Sequence, residues 1–574
     1  MKSKIIYLGL FLFMALTYSC SDFLEVENKK SVTDDILWTE ESNADLFLND
    51  MYNELLLSKD GPNKVTQHLD QYSDNSDVGT NWMAGYAKIG NAQITPESYP
   101  TDGFSEIWDW EKAYKKIRKC NVFIKNVTES KLSDTYKQQR ISEARFLRAF
   151  TYHWLWMTYG GVPLITKPLD NQNPDIPLEN PRATAQETFD FIVTELGEIA
   201  PLLNDRETGD NAGRATKGAA LTLKGWCELY HASIQRNPSN DIERWKVAAA
   251  TNKSVIEMGV YSLATDFNEL FMTNNNIESI YARQYGPDKG NNKEMHFGPP
   301  AVGTARSGWG NFQPTQQLVD AFCMANGLPI TDPASGYDPN NPYVGREKRF
   351  YETIIYNGSK WRNEIVILTQ LGGENSIDLG YSNDNTHTGY YARKRLNENK
   401  DLTMWGNETS YENYMFFRYG EVLLNFAEAE NEVNGPTQEV LDAVNQVRTR
   451  NGNMPKVEET FKTLNKENMR EIIRRERRVE LCFEDKRWWD IRRWEIADKL
   501  PDGSPGVMNV PLKGMLIEDK SGTLTYTLVD VRNRTFLPKM YLMPLPQAAI
   551  DRNSEIAKQN GGPDNWKNGQ NPGY

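Results

Sequence analysis

Aromatic residues are more numerous in this chain than a helical core needs, and they are the side chains best suited to recognise a ligand. The 574 residues include 15 Trp and 27 Tyr, and the stretch 260–314 combines aromatics with Asn, Gly and Pro. Some of these rings should therefore be exposed, and exposed aromatic side chains tend to mark binding surfaces.

Motifs for catalysis are absent from the sequence. It contains no HExxH, GxSxG, P-loop or CxxC pattern. Of the five histidines, His153 and His231 lie in apolar helical patterns and are predicted to be core residues. We therefore predict a protein that is not an enzyme, and we assign it no cofactor and no metal site; calcium binding stays open, because the Asp- and Asn-rich stretch 70–77 fits no fixed ligand spacing such as that of an EF-hand. A glycoside hydrolase stays open as an alternative, because its two carboxylates are defined by a separation of roughly 5–10 Å in space and not by sequence spacing.

Charge and composition restrict the partners of the chain. The formal net charge of −13 argues against nucleic acid, whose binding depends on neutralising phosphates. After residue 16 no apolar run approaches the roughly 18 residues of a membrane-spanning helix. Cysteines are few, and we predict that Cys120, Cys227, Cys323 and Cys482 are buried free thiols and not two disulfides.

The N-terminus has the pattern of an export signal that ends in a cysteine. A basic start precedes an uncharged apolar run at residues 5–16, which is too short to span a bilayer. The five residues ending at Cys20, LTYSC, resemble a bacterial lipobox with Thr where Leu is usual. We predict a signal peptide at 1–19, lipidation of Cys20 and a tether at 20–38, with an ordinary secretory signal as the alternative.

Apolar residues recur every three to four positions over much of the chain, which predicts helices. We place them at 39–58, 104–127, 133–159, 184–203, 214–233, 241–258, 411–432, 438–450 and 466–493, with a short helix near 546–551. Short strands are predicted at 279–283, 354–356, 364–369 and 389–394, and the rest of 500–574 as loop. The result is a mainly α protein whose helical pairs form two blocks separated by a loop-rich middle.

The densest charge motif is the stretch 470–494, which interleaves Arg with Glu and contains Trp residues. On a helix, three pairs in it stand at ion-pair spacing, namely Glu471–Arg475, Arg477–Glu480 and Glu484–Arg487. Because the basic residues alternate with acidic ones in an acidic chain, we predict a solvated or inter-helix charge network and not a nucleic-acid site.

The stretch 470–494 and five others resemble the motifs of a known family. These others are CSDFL at 20–24, EARFLRAF at 143–150 leading to YGGVPL at 159–164, PTQQLVDAF at 314–322, RYGEVLLNFAEAE at 418–430 and the ending QNPGY at 570–574. Their types and order resemble those of SusD/RagB-type outer-membrane lipoproteins of Bacteroidetes-like bacteria, and they span essentially the whole chain.

The resemblance implies one SusD-like domain over 39–574, with a tetratricopeptide-type scaffold of helical pairs and an irregular ligand-binding half that carries short strands. The scaffold is expected mainly at 39–58, 104–258 and 411–495, and the variable ligand-binding loops mainly at 59–103 and 260–410.

The resemblance also implies a surface glycan-binding lipoprotein, anchored by lipid in the outer membrane and facing the cell exterior. Such a protein captures oligosaccharide or polysaccharide and delivers it to a SusC-like TonB-dependent transporter, over which it works as a lid. A RagB-like peptide-binding member has the same scaffold and is the alternative substrate class.

In this family the site is built from variable loops, which here are 68–100 and 281–314. We predict Trp82, Tyr285 and Trp309 as stacking residues, the last two because they resemble the positions where family members place stacking aromatics. A role in the core or in anchoring a loop is the alternative for each.

Polar partners for sugar hydroxyls are predicted beside these rings and on a further edge. The candidates are Asp77, Asn81 and Arg283, with Tyr391 and Arg393 from the sequence GYYARKR. By contrast, four Trp residues in helical motifs are predicted to belong to the scaffold, namely Trp154, Trp156, Trp488 and Trp489.

The predicted lipid anchor is tested by removing its acceptor. Cys20→Ala should leave glycan binding by the soluble domain intact and abolish retention at the membrane, because one acylated residue carries the whole membrane affinity. Fractionation of cells, with affinity electrophoresis of the released protein, measures both. Cys120→Ala, which changes a predicted core thiol, should stay in the membrane fraction, and retention of Cys20→Ala there would contradict the assignment.

Overall fold

The computed structural model describes residues 34–54, 69–79, 88–97, 109–169, 180–287, 290–302, 305–306, 308–380, 385–400 and 410–574. The predicted signal peptide, Cys20, Asn81 and Trp82 lie outside these residues. No helix within the described ranges is long and apolar enough to cross a membrane.

The longer helices form two blocks, within residues 41–257 and 419–493. The longer ones are α1 Glu41–Asn53, α2 Trp110–Glu129, α3 Asp134–Tyr159, α4 Ala185–Ile199, α5 Lys217–Ala232, α6 Ile242–Glu257, α7 Tyr419–Asn434, α8 Gln438–Arg448, α9 Lys466–Glu480 and α10 Arg487–Arg493. Short α-helical segments occupy Asp34–Leu37, Glu269–Met272, Lys293–Phe297, Gln316–Val319, Lys348–Thr353, Val457–Thr460, Gln547–Asp551 and Ser554–Ala557. Single 3₁₀ turns occupy Leu69–Tyr72, Ala200–Leu202, Gly209–Asn211, Arg450–Gly452 and Pro538–Tyr541.

Local capping chemistry sets where these helices begin and end. The Ser133 side chain accepts a hydrogen bond from the Tyr136 N–H at the start of α3, and Thr184 forms a capping box with Glu187 at the start of α4. Gly160 follows α3 with a φ of 77°, a conformation that glycine adopts without steric cost. The five helices predicted between residues 104 and 258 are confirmed, with ends that shift by a few residues.

The helices stack in chain order. Each of α2 to α6 packs on the next, α6 packs on α7, and α7 contacts α8 and α9. Their apolar faces form the largest hydrophobic core, in which Trp156, Trp488 and Trp489 are buried as predicted. The mainly α fold class is thereby confirmed, and the stacking of neighbouring helices is compatible with the tetratricopeptide-type arrangement.

The strands are short and form separate two-stranded sheets. We label β1 Ser76–Asp77, β2 Ser279–Arg283, β3 Gln313–Pro314, β4 Ile354–Ile355, β5 Tyr391–Ala392, β6 Tyr414–Arg418, β7 Leu512–Lys520 and β8 Thr523–Arg532. The antiparallel pairs are β1 with β3, β2 with β6, β4 with β5 and β7 with β8. Two further hairpins join Ala301–Val302 with Ala305–Arg306 and Lys360–Trp361 with Ile365–Val366.

Three sequence-based predictions of secondary structure are wrong. The helix predicted at 411–432 begins only at Tyr419, because the aromatic run before it forms β6 against β2. The helix predicted at 466–493 is interrupted between α9 and α10, where Phe483 and Asp485 both have a φ of 63°. The loop predicted over 500–574 contains the hairpin β7–β8, whose Ser521-Gly522 turn has positive φ at both residues.

A second hydrophobic core lies under the irregular half of the molecule. It includes Phe312, Trp361 and Tyr391 and reaches Phe483 after α9 and Ile517 of β7. The irregular loops are therefore packed onto both the scaffold and the C-terminal hairpin.

The predicted states of the cysteines and histidines are mostly confirmed. The four described cysteines, Cys120, Cys227, Cys323 and Cys482, are buried free thiols. His153 is fully buried, and burial lowers its pKa to about 3. His231 departs from the prediction because it is only half-buried, stacked on the Phe189 ring at 3.9 Å between centroids.

The charged stretch 470–494 forms a buried network of ion pairs between elements. Of the two predicted alternatives, a solvated network and a network between helices, it is closer to the second. Arg418 contacts Glu278 at 2.7 Å, Glu480 at 2.8 Å and Glu484 at 2.7 Å, and every one of these side chains is buried. The three pairs predicted along the helix are not formed among the described residues. Glu480, Glu484 and Arg487 pair with other elements, and Glu471 lies 3.7 Å from Arg474 on the same helix.

The same acidic residues hold side chains of the irregular half. Arg349 contacts Glu476 at 2.8 Å and Glu480 at 3.0 Å, and Lys394 contacts Glu484 at 2.6 Å. Burial raises the pKa of the Glu484 carboxyl, but Arg418 and Lys394 outweigh this effect and hold its pKa at about 2. The network therefore stays ionised and joins the scaffold to the irregular half.

Loss of the central guanidinium should destabilise the fold strongly. Arg418→Ala leaves Glu480 and Glu484 buried with fewer counter-charges, so the free energy of unfolding should fall by about 3–5 kcal/mol. Urea denaturation followed by circular dichroism measures it. Lys253→Ala removes an exposed ion pair with Glu439 and should leave the midpoint within error; equal effects of the two variants would contradict the role of the network.

Candidate functional site

Trp309 lies on a strap, residues 308–311, that is fixed by main-chain hydrogen bonds. The Trp309 N–H donates to the Met295 carbonyl at 2.9 Å, and the Asn311 N–H donates to the His296 carbonyl at 2.9 Å. The strap therefore runs along the short helix Lys293–Phe297, and the position of Trp309 is set by the backbone.

Glycines on both sides of Trp309 let the strap approach its neighbours closely. A Cβ atom at Gly308 would lie 2.2 Å from the Gly298 carbonyl oxygen. Gly310 has a φ of 57°, and a Cβ there would lie 2.6 Å from the ring of Tyr391. Trp309 itself stays partly exposed, with its ring meeting the edge of His296 at 4.9 Å between centroids. An aromatic ring is thus presented on a tightly packed backbone.

The first predicted loop packs directly against this strap. In the β1–β3 pair, Asp77 lies opposite Gln313, just beyond the strap. The Gln71 side-chain amide donates to the Asn311 carbonyl, and a Cβ at Gly79 would lie 2.7 Å from the Gly310 carbonyl oxygen. The structure therefore brings the loops 68–100 and 281–314 together, although Asn81 and Trp82 lie outside the described residues.

Asp77 is fully buried beside the strap. One carboxylate oxygen lies 3.2 Å from Arg532 Nε and the other lies 3.6 Å from His387 Nδ1. Arg532 is the last residue of β8, so this carboxylate joins the C-terminal hairpin to the loop that leads to Trp82. A direct contact of Asp77 with a ligand stays a prediction.

Arg283 is the last residue of β2 and Tyr285 lies two residues after it, and both are buried in this conformation. The Tyr285 N–H donates to Asn413 Oδ1 at 2.9 Å, while the Arg283 guanidinium lies over the Tyr285 ring at 5.4 Å. Arg283 also donates to Asn53 Oδ1 at 2.6 Å at the end of α1. Tyr285 lines a crevice of about 10 Å³ together with Lys293, which leaves room for no more than one water. Stacking on Tyr285 would require its neighbours to move.

Tyr391 and Arg393 have different surroundings. Tyr391 is fully buried beneath Gly310, and its hydroxyl accepts a hydrogen bond from the Thr386 N–H at 2.9 Å. Arg393 forms an ion pair with Glu398 at 2.6 Å. Tyr391 therefore supports the strap from below, whereas Arg393 forms no hydrogen bond or ion pair with the strap among the described residues. Ligand contact by either residue stays a prediction.

Sequence reasoning missed several buried polar groups around the strap. Asn311 Oδ1, Asn292 Oδ1 and Glu294 Oε2 accept no hydrogen bond from the described residues. Burial raises the pKa of Glu294. A buried acceptor without a hydrogen bond costs about 1–3 kcal/mol. A ligand hydroxyl or a water that donates to one of these oxygens would remove that cost. The only signal in the sequence was the density of Asn in 260–314, which does not say which oxygens are buried.

A pair of carboxylates lies near the crevice, but both are bound by the protein itself. Lys293 Nζ lies 3.3 Å from Glu294 and 2.9 Å from Glu412. Asn397 donates to both, from its N–H to Glu294 and from its side chain to Glu412. Burial raises the pKa of Glu412, but Lys293 and Asn397 outweigh it and lower the pKa overall. These contacts hold together three parts of the irregular half, at residues 293–294, 397 and 412.

Comparison with known proteins gives consistent results over the whole chain. A profile described as the SusD family matches residues 241–566, and one described as starch-binding and associating with the outer membrane matches residues 22–224. The SusD-like protein P38 of Formosa agariphila is 25% identical over 508 residues, which cover 83% of this chain and 89% of that protein.

Solved structures show the same fold. A SusD-like protein of Bacteroides fragilis has a TM-score of 0.76 and 29% identity, over 94% of this chain and 99% of that one. A SusD-like carbohydrate-binding protein of the same species has a TM-score of 0.74 and 27% identity, over 90% of this chain and 99% of that one.

The packing of the strap can be tested without a ligand. Gly308→Ala places a methyl group against the Gly298 carbonyl, so the strap should detach locally and the Trp309 and Asn311 amides should exchange hydrogen about tenfold faster or more. Hydrogen exchange followed by mass spectrometry of peptides over 305–313 measures this. Gly286→Ala is the control, because a Cβ there has no atom of the described residues within 4 Å. Unchanged exchange in Gly308→Ala would contradict the described packing.

Proposed function

The chain belongs to the SusD family, and we propose that it is a surface glycan-binding lipoprotein. It captures oligosaccharide or polysaccharide by stacking and hydrogen bonding, and it delivers the captured glycan to a SusC-like TonB-dependent outer-membrane transporter. The transporter couples to energy, and this chain supplies the binding site.

The observation that carries the proposal is the presentation of Trp309. A partly exposed indole on a backbone fixed by three main-chain hydrogen bonds, from the amides of residues 309, 310 and 311, needs little ordering when a ligand binds. Stacking of one sugar face on it contributes about 1.5–2 kcal/mol, and the adjacent loop towards Asn81 and Trp82 supplies a second ring and an amide. Tyr285 contributes after a local rearrangement that opens its crevice.

Relatives support the ligand class. A structure with 27% identity bears the description carbohydrate-binding, and the profile that matches the N-terminal part bears the description starch-binding. In this chain, aromatic rings with neighbouring amides and carboxylates supply the same kind of chemistry.

Binding without hydrolysis is part of the proposal. A glycosidase needs one carboxylic acid to protonate the leaving oxygen and a second carboxylate to act on the sugar. Glu294 and Glu412, the carboxylates beside the crevice, are instead bound to Lys293 and Asn397. Both oxygens of Glu412 are engaged, one by Lys293 and the other by Asn397, so Glu412 is not available as the second carboxylate that a glycosidase needs, which favours capture over cleavage.

Membrane attachment is proposed to rest on lipidated Cys20. The segment 20–38 joins it to the body. The end of this segment is fixed, because Trp38 packs on Phe47 and Phe123, and the residues before the helix Asp34–Leu37 supply the reach to swing over a transporter barrel. The description of the N-terminal profile as associating with the outer membrane supports this location.

The site is tested by removing the exposed ring. Trp309→Ala should weaken polysaccharide binding about tenfold to thirtyfold, which corresponds to the 1.5–2 kcal/mol of lost stacking. Trp309→Phe, which keeps a flat ring, should lose less. Affinity electrophoresis against a panel of polysaccharides, followed by calorimetry with the best one, measures both, with Trp82→Ala beside them.

Trp38→Ala is the matched control because Trp38 packs on Phe47 and Phe123 in the scaffold, far along the chain from the strap. Its affinity should equal that of the wild type. Unchanged binding in both Trp309→Ala and Trp82→Ala would contradict the site. Retention of peptides with no polysaccharide retained would contradict the ligand class and favour the RagB-like alternative.

A further inference from the structure

A cavity separate from the Trp309 strap opens between the loop 206–216 and strand β2. Its volume is about 240 Å³, and its walls belong to described residues throughout. We propose that this cavity binds a single sugar unit or a polyol of similar size, as a second binding site of the protein. The ligand class rests on the proposed function, whereas the location rests on the cavity itself.

The size of the cavity selects a small ligand. At about 30 Å³ per water, 240 Å³ holds roughly eight waters. Pockets for drug-sized molecules begin at about 300 Å³. One monosaccharide fits this space, and a chain of several sugars does not.

The charges on its walls suit a neutral ligand with many hydroxyls. Arg206 donates to the carbonyls of Asn275 and Asn276 at 3.2 and 3.0 Å, and it forms no ion pair with a described carboxylate. Glu207 accepts hydrogen bonds from Gln139 and Asn204 through one oxygen, and it pairs with no described cation. Arg214 also lines the cavity, but its charge is balanced by Glu143 at 3.0 Å. Arg206 and Glu207 therefore offer donors and acceptors without a net charge that would attract an ion.

Hydroxyl and aromatic groups complete the lining. Tyr281 is buried in the wall, and its hydroxyl has no hydrogen-bond partner among the described residues. Thr208 and Ser279 add two hydroxyl groups, and neither hydroxyl forms a hydrogen bond with a described residue. Tyr261 adds an aromatic ring, over which the Arg206 guanidinium lies at 5.9 Å from the centroid. A few placed polar groups in such a cavity fix the orientation of a small ligand and provide specificity.

One wall is held in place by its neighbours. Gly213 has a φ of 88°, and a Cβ there would lie 2.3 Å from Gln284 Cγ, so only glycine lets Gln284 lie over the loop. Gln284 Oε1 accepts hydrogen bonds from Asn275 at 2.9 Å and from Asn413 at 2.8 Å. Asn413 in turn accepts from the Tyr285 N–H at 2.9 Å. The cavity and the predicted stacking residue Tyr285 are thus joined by one chain of hydrogen bonds.

The test fills the cavity from its exposed loop. Thr208→Trp places a large ring at the cavity wall from a solvent-exposed position, and Thr273→Trp makes the same change at an exposed position outside the lining. The mature chain is titrated with glucose, galactose, mannose and glycine, and binding is followed by saturation-transfer NMR and chemical-shift changes.

We expect at least one of the three sugars to bind with a Kd of about 1–10 mM. Thr208→Trp should raise this Kd at least tenfold, and Glu207→Gln should raise it several-fold, while Thr273→Trp and Trp309→Ala leave it unchanged. Polysaccharide retention by Thr208→Trp, measured in the same affinity gels as above, should equal that of the wild type.

Three results would overturn the inference. The first is that none of the three sugars binds the wild type, and the second is that glycine binds in their place. The third is that Thr208→Trp binds the sugar unchanged while Trp309→Ala loses it, which would locate the sugar at the strap. In each case retention of polysaccharide by the wild type would still support the proposed function, so failure of the cavity and failure of the function are distinguished.

Discussion

The ion network around Glu480 is the interaction on which the rest of the structure depends. Glu480 stands at the end of α9, where it meets Arg418 at the end of β6 and Arg349 of the irregular half. Three charged groups buried together are tolerated only because each finds several partners, since an isolated buried charge would cost several kcal/mol. The scaffold therefore does more than stack helices. It places acidic side chains where the basic residues of the loops must come to neutralise them.

The strap follows from this arrangement and from the second core. Phe312, one residue after the strap, packs at 4.5 Å on Phe483, in the segment between α9 and α10 whose left-handed residues end the first of these helices. The Tyr391 ring packs under Gly310 of the strap, and β1 pairs with β3, which follows the strap in the chain. A loop that is irregular in sequence is thus rigid where it carries Trp309, which suits a ring that must meet a ligand without reordering.

Much of the helical scaffold could be predicted because its apolar spacing and its caps are local properties of the sequence. The stretch 470–494 shows the limit of local reasoning. Its pairs at helical spacing were plausible, yet Glu480 and Glu484 turn to Arg349, Lys394 and Arg418, which lie far along the chain. The aromatic run before Tyr419 has helical spacing as well as strand propensity, and only its partner β2 decides between them.

The sequence predicted which loops form the candidate site, but only some of its residues. The loops 68–100 and 281–314 do meet, but the burial of Tyr285, Asp77 and Tyr391 depends on packing that no sequence pattern displays.

The central claim is that a glycan stacks on Trp309. A crystal structure of the mature chain, bound to an oligosaccharide cut from the best-retained polysaccharide, tests this claim most directly. We predict a sugar ring parallel to the Trp309 indole at about 4 Å, the distance of van der Waals contact. An oligosaccharide bound elsewhere, with the Trp309 ring bare, would contradict it.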